Sequence, residues 1–116
     1  MEPPVRERIV EALRLAASAE VQDAYAARVP VADVPAEVFC TWEDHYVPDS
    51  PWFERAFTAD ERDALAAYEA TCSAIARRVP DHVALAAFQA SPAWRDLADA
   101  AVRTLAALNV AREDAV

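Results

Sequence analysis

At 116 residues the chain has room for one domain with its own hydrophobic core, and it needs neither metal nor disulfide staples to hold it. It is 55% hydrophobic and 27% charged, with eleven arginines, no lysine and no glycine. Phosphate-cradling loops, nucleophile elbows and dinucleotide-binding turns depend on glycine, so a chain without any is turned away from those chemistries. The formal net charge of −9 repels phosphate backbones and argues against nucleic acid as a partner.

The arginine-for-lysine usage, together with abundant alanine, is what GC-rich bacterial codon usage produces. Met1 to Pro4 lead into Arg6-Glu7-Arg8 without the apolar core of a signal peptide, and no run approaches a membrane span. The expectation is a cytoplasmic protein that does not enter membranes, with its two cysteines as free thiols.

Alanine-rich segments punctuated by eight prolines, with helical apolar spacing, predict an all-α fold: a single-domain bundle of four to five helices over residues 1–116. The first helix starts at Pro3 or Pro4 and runs towards Arg28, before Pro30. Val5, Ile9, Leu13, Ala17, Val21 and Tyr25 step by four along its inner side, with Glu7, Glu11, Arg14, Ser18 and Gln22 opposite. The second runs from Pro35 to before Pro48, with Val38, Phe39, Trp42 and Tyr46 on one face and Glu37, Cys40, Glu43 and Asp44 around the other. Ser50-Pro51 supplies an N-cap and a first-turn proline for a short helical piece bearing Trp52, Phe53 and Phe57.

Thr58-Ala59-Asp60-Glu61 is a capping box, and it opens a third helix whose stripe is Leu65, Tyr68, Cys72, Ile75 and Val79, ending at Pro80. A short piece over Val83–Phe88 precedes Ser91-Pro92, which caps a last helix with Trp94, Leu97, Ala101, Leu105 and Leu108 inward. Asn109 is a left-handed stop, and residues 111–116 lack apolar periodicity and are expected to fray.

Metal sites are a natural reading of Cys40, His45, Cys72 and His82, or of Glu43, Asp44, His45 and Asp49. Ligands five apart or adjacent on a helix diverge around its axis, so the spacing favours buried or free thiols and a solvated acidic face, and no cofactor is expected. His45 could act as a base oriented by Asp49 or Glu61, but Ser50 and Ser91 precede prolines and Thr58 sits in its capping box, so no nucleophile is left and no enzyme is expected.

The charge is segregated. Nine acids and two arginines between Asp33 and Asp63 give −7 of the total −9, in a segment that also carries Phe39, Trp42, Tyr46, Trp52, Phe53 and Phe57. A concentrated negative field beside large apolar anchors suits the docking of a basic protein, as in an immunity or antitoxin-type inhibitor of a basic effector. The partner-binding residues on this reading are Glu43, Asp44, Tyr46, Asp49, Trp52 and Glu54. Two other classes fit the same sequence. One is a small-molecule or catalytic pocket between the second and third helices, lined by Phe39, Trp42, His45 and Tyr68. The other is a homo-oligomeric scaffold joined through an apolar seam of the first and last helices.

Overall fold

The computed structural model describes residues 4–110, and these form seven helices and no strand. They are α1 (Val5–Ala17), α2 (Ala19–Arg28), α3 (Val34–His45), α4 (Pro51–Ala56), α5 (Ala59–Ala76), α6 (Leu85–Ala90) and α7 (Pro92–Ala107). The expected all-α bundle is present, with more helices than the four to five expected. The expectation of fraying over residues 111–116 lies outside the described residues.

The short pieces α4 and α6 account for part of the excess, and a break at Ser18 adds one helix more. A continuous helix to Arg28 is not formed, because Ser18 adopts an extended backbone (φ −133°, ψ 120°) and its side chain accepts from the Val21 N–H as the N-cap of α2. Ser18 and Gln22, assigned by periodicity to the polar side, are both buried. The break strands carbonyls at the end of α1, and side chains satisfy them: Gln22 Nε2 donates to Leu15 O at 2.8 Å and Trp94 Nε1 to Ala16 O at 2.9 Å. Gln22 Oε1 in turn accepts from Gln89 Nε2 at 3.0 Å.

The remaining boundaries follow local chemistry. Asp33, Ser50, Thr58 and Ser91 cap α3, α4, α5 and α7, and the Thr58–Glu61 capping box is complete in both directions. Helix α5 stops at Ala76, short of the expected Pro80, and Asn109 takes the left-handed conformation (φ 60°) expected of it. Ile9, Leu13, Val38, Trp42, Leu65, Leu97 and Leu105 are fully enclosed where α1, α3, α5 and α7 meet.

Arg6 fastens four elements at one end of this core. Its guanidinium donates to both carboxylate oxygens of Glu61 at 3.0 Å, to Ala56 O at 3.2 Å and to Leu108 O at 3.1 Å, and it lies 5.4 Å from the centre of the Phe57 ring. The arginine side chain is 37% exposed, so solvent screens the ion pair, and much of the stabilisation comes from the charge-assisted bonds to carbonyls. Hydrogen bonding from Arg6 holds the Glu61 carboxyl below its ordinary 4.5, against the opposing effect of partial burial. A depressed folded value means the contribution is complete above the unfolded carboxyl range and is lost as pH falls through the folded value. Glu61→Gln should therefore be less stable than the parent by on the order of 1 kcal/mol at neutral pH, with the gap narrowing below about pH 4. Urea unfolding at several pH values measures this directly.

Candidate functional site

Helix α3 sorts its residues by period. Val34, Pro35, Val38 and Trp42 face the core, while Ala36, Cys40, Glu43 and Asp44 are exposed on the outer side. The field on that outer side registers at Cys40. Its thiol is pushed up by partial burial and then by the charges of Glu37, Glu43, Asp44 and Asp33.

Beyond α3 the chain turns tightly. The Ser50 N–H and hydroxyl both donate to Val47 O, at 3.1 and 2.8 Å, and the same hydroxyl oxygen accepts from the Phe53 N–H at 3.3 Å. That cap fixes the start of α4, which sends Phe53 into the core and Trp52 outward, 56% exposed. Asp49 and Glu54 are exposed on either side of Trp52 in the chain, and Val47 is partly exposed as well.

Five of the six residues assigned from sequence, Glu43, Asp44, Asp49, Trp52 and Glu54, are thus solvent-facing within one stretch of twelve residues. Tyr46 differs. It is half-buried, stacked on Trp42 at 4.8 Å and in edge contact with Phe53 at 5.5 Å. Burial, followed by the charges of Glu69 and Asp49, raises its phenol. Its ring is committed to the core wall that supports α4.

The pocket expected from Phe39, Trp42, His45 and Tyr68 is closed by packing. Trp42 and Tyr68 are buried with ring centres 4.6 Å apart, and Trp42 Nε1 donates to Glu69 Oε1 at 2.6 Å. The void beside Trp42, Phe39 and Cys72 measures about 30 Å³, too small for a ligand, and His45 does not line it. Glu69, which sequence reasoning passed over, is the residue that satisfies the buried indole, and nothing in its local sequence marks it for that task.

The candidate metal ligands are dispersed. Cys40 is exposed on α3, Cys72 is buried in α5, and His82 lies in the α5–α6 connection. Among the described residues no group of three or more His, Cys, Asp or Glu is placed to hold a metal ion. The seam proposed for a scaffold is occupied internally, since α1 and α7 pack against each other. No helix among the described residues is long and apolar enough to cross a membrane. The chain matches no protein-family model, and no curated protein or solved structure is significantly similar to it.

Two buried side chains on α5 should respond oppositely to small changes. Cys72 sits in the core stripe with its thiol pushed up to about 12, by burial first and Glu69 second. Cys72→Ser should cost on the order of 1–3 kcal/mol, because a hydroxyl loses more hydration than a thiol on entering the apolar stripe, a cost that contact with Tyr68 offsets only in part. The Tyr68 hydroxyl is buried with no well-formed hydrogen bond, and the polar group it meets is the Cys72 thiol, a weak partner. Tyr68→Phe should be neutral or stabilising by up to about 1 kcal/mol, because it removes a buried hydroxyl served only by a thiol and keeps the ring. Thermal melts of both variants, with slow thiol labelling of native Cys72 as a control, test the pair.

Proposed function

We propose that this chain is a binding module that docks a basic protein through the outer face of α3, the Val47–Ser50 turn and α4. The carrying observation is the outward placement of Trp52 on a capped helix, among the exposed carboxylates of Glu43, Asp44, Asp49 and Glu54. Large aromatics elsewhere in this protein are turned wholly or partly inward, so an indole held in solvent on a braced helix is suited to anchor a partner. Within this class, an immunity or antitoxin-type inhibitor of a basic effector is the reading that best joins the size, the free thiols and the segregated charge. It would act in the cytoplasm.

Carboxylates steer the encounter and occupy an arginine- and lysine-rich site on the effector, and Trp52 excludes water and slows release. Inhibition is steric. Ser50, Thr58 and Ser91 spend their hydroxyls on helix caps, which favours binding over nucleophilic catalysis for this face.

The two halves of this mechanism separate kinetically. Neutralising Glu43, Asp44, Asp49 and Glu54 to Gln or Asn should leave the fold intact and slow association on the order of tenfold at low salt, with the difference shrinking towards physiological ionic strength. Trp52→Ala should instead speed dissociation by on the order of tenfold or more, with little change in the association rate. Surface-based kinetics with a basic partner recovered from the native host measure both. An unchanged association rate in the neutralised variant at low salt would sink the reading.

A further inference from the structure

A second recess lies at the opposite end of α3 from Trp52. Between the start of α3 and the α5–α6 connection, the surface opens into a cleft of about 270 Å³. Its floor is apolar, made by buried Pro35 and by half-buried Phe39, Val79 and Val83. Its rim carries two carboxylates, partly exposed Asp33 and exposed Asp81, with the imidazole of His82 beside them. The Asp33 carboxylate is held in place, accepting the Ala36 N–H at 3.4 Å through Oδ1 and facing His82 Nδ1 at 3.5 Å through Oδ2.

We infer that this cleft is the socket for an arginine side chain of the basic partner, which gives the docking face a second anchor point at the far end of α3. The inference rests on the docking reading above and adds to it Asp33, Phe39 and Asp81. Charge complementarity chooses the occupant. An apolar floor under two carboxylates asks for a ligand with an apolar stem and a cationic head. Arginine fits better than lysine, because its weakly hydrated planar guanidinium can lie on the Phe39 ring and fork its donors to carboxylates, whereas an ammonium holds its water. A bare cation is disfavoured, since the two carboxylates are not joined by a third ligand in any group suited to metal.

The capped start of α3 at the cleft and its end before the turn to Trp52 are twelve residues or roughly 18 Å apart along the helix, and the exposed acids Glu43 and Asp44 lie between Cys40 and that turn. A partner engaging both ends would be held in one orientation along the helix. A basic surface engaging Trp52 alone could still rotate about it.

The protein carries its own reporter for this socket. Cys40 is exposed and lines the cleft, while Cys72 is buried with its thiol pushed up to about 12, so an uncharged alkylating reagent should modify Cys40 alone in the folded protein. Iodoacetamide labelling of Cys40 is followed by mass spectrometry while a blocked Ala-Arg-Ala peptide is titrated in, with the citrulline peptide as its neutral counterpart. The arginine peptide should slow labelling several-fold and saturably, and the citrulline peptide should not. Asp33→Asn with Asp81→Asn should abolish the protection; asparagine keeps the α3 cap, so the circular dichroism and melting temperature should hold.

Equal protection by both peptides, or none by either, overturns the socket. So does labelling that slows with protein concentration alone, which would make a second copy of the chain the occupant. With a basic partner in hand, the double variant should weaken affinity on the order of tenfold. If it leaves affinity unchanged while the Glu43, Asp44, Asp49 and Glu54 variant still slows association, the socket fails and the docking reading stands. If neither variant alters partner binding but the arginine peptide still protects Cys40, the docking reading fails and the cleft is an arginine site of another kind.

Discussion

The guanidinium of Arg6 is the point on which the arrangement of helices turns. It joins the first turn of α1 to the end of α4, the start of α5 and the end of α7. Glu61 serves two purposes at once, since the Oε1 that binds Arg6 also accepts from the Thr58 N–H at 2.9 Å. The cap that begins α5 and the clamp that gathers the bundle therefore share one carboxylate. The Leu108 carbonyl it holds lies past the last turn of α7, where carbonyls lack partners within the helix. Because Arg6 also grips Ala56, the pose of α4, and with it the direction of Trp52, depends on a residue fifty positions away.

Such a clamp is invisible to periodicity, and that marks the division between what the sequence discloses and what it conceals. Helix starts were legible wherever a side chain caps its own backbone: Thr58 with Glu61, Ser50 before Pro51 and Ser91 before Pro92 are decided within four residues. The α5 core stripe was legible because spacing alone decides which side of a helix is apolar. Ser18 misled for the same reason. The step of four from Ile9 to Tyr25 continues unbroken through a residue whose backbone is extended, and only Gln22, Gln89 and Trp94, brought in by tertiary packing, make the break affordable.

The candidate site shows the same division. The exposed acids and Trp52 could be read from the alternation of α3 and the cap of α4. Tyr46 could not be separated from Trp52 by sequence, because both lie near prolines at the border of polar and apolar runs, and only stacking on Trp42 draws one of them inward. The cleft at Asp33 was out of reach, since it exists only where residues 33–40 meet residues 76–83. With no glycine available, two of the described residues take positive φ, and one of them, His82 (φ 57°), stands at that meeting point. Turns built from proline, serine caps and left-handed His or Asn leave little freedom to lose, so on the docking reading the face would be formed before any partner arrives.

Helix α2 stands apart from this rigidity. Gln22 is its single fully buried residue, and it is secured by amide hydrogen bonds to Leu15 and Gln89 and by Tyr25 donating to Glu37 at 3.2 Å. A segment fastened by polar pins and by two half-buried apolar side chains, Val21 and Tyr25, gains less from water exclusion than the core helices, so its opening should cost less than global unfolding. In hydrogen exchange its amides should form the first unit to open, while α1, α5 and α7 stay protected. Each such opening would release the Glu37 carboxylate, whose charge already belongs to the field of α3, from its bond to Tyr25 and leave it available to any cationic group that reaches that face, coupling a local breathing motion to the hydrogen-bonding capacity of α3.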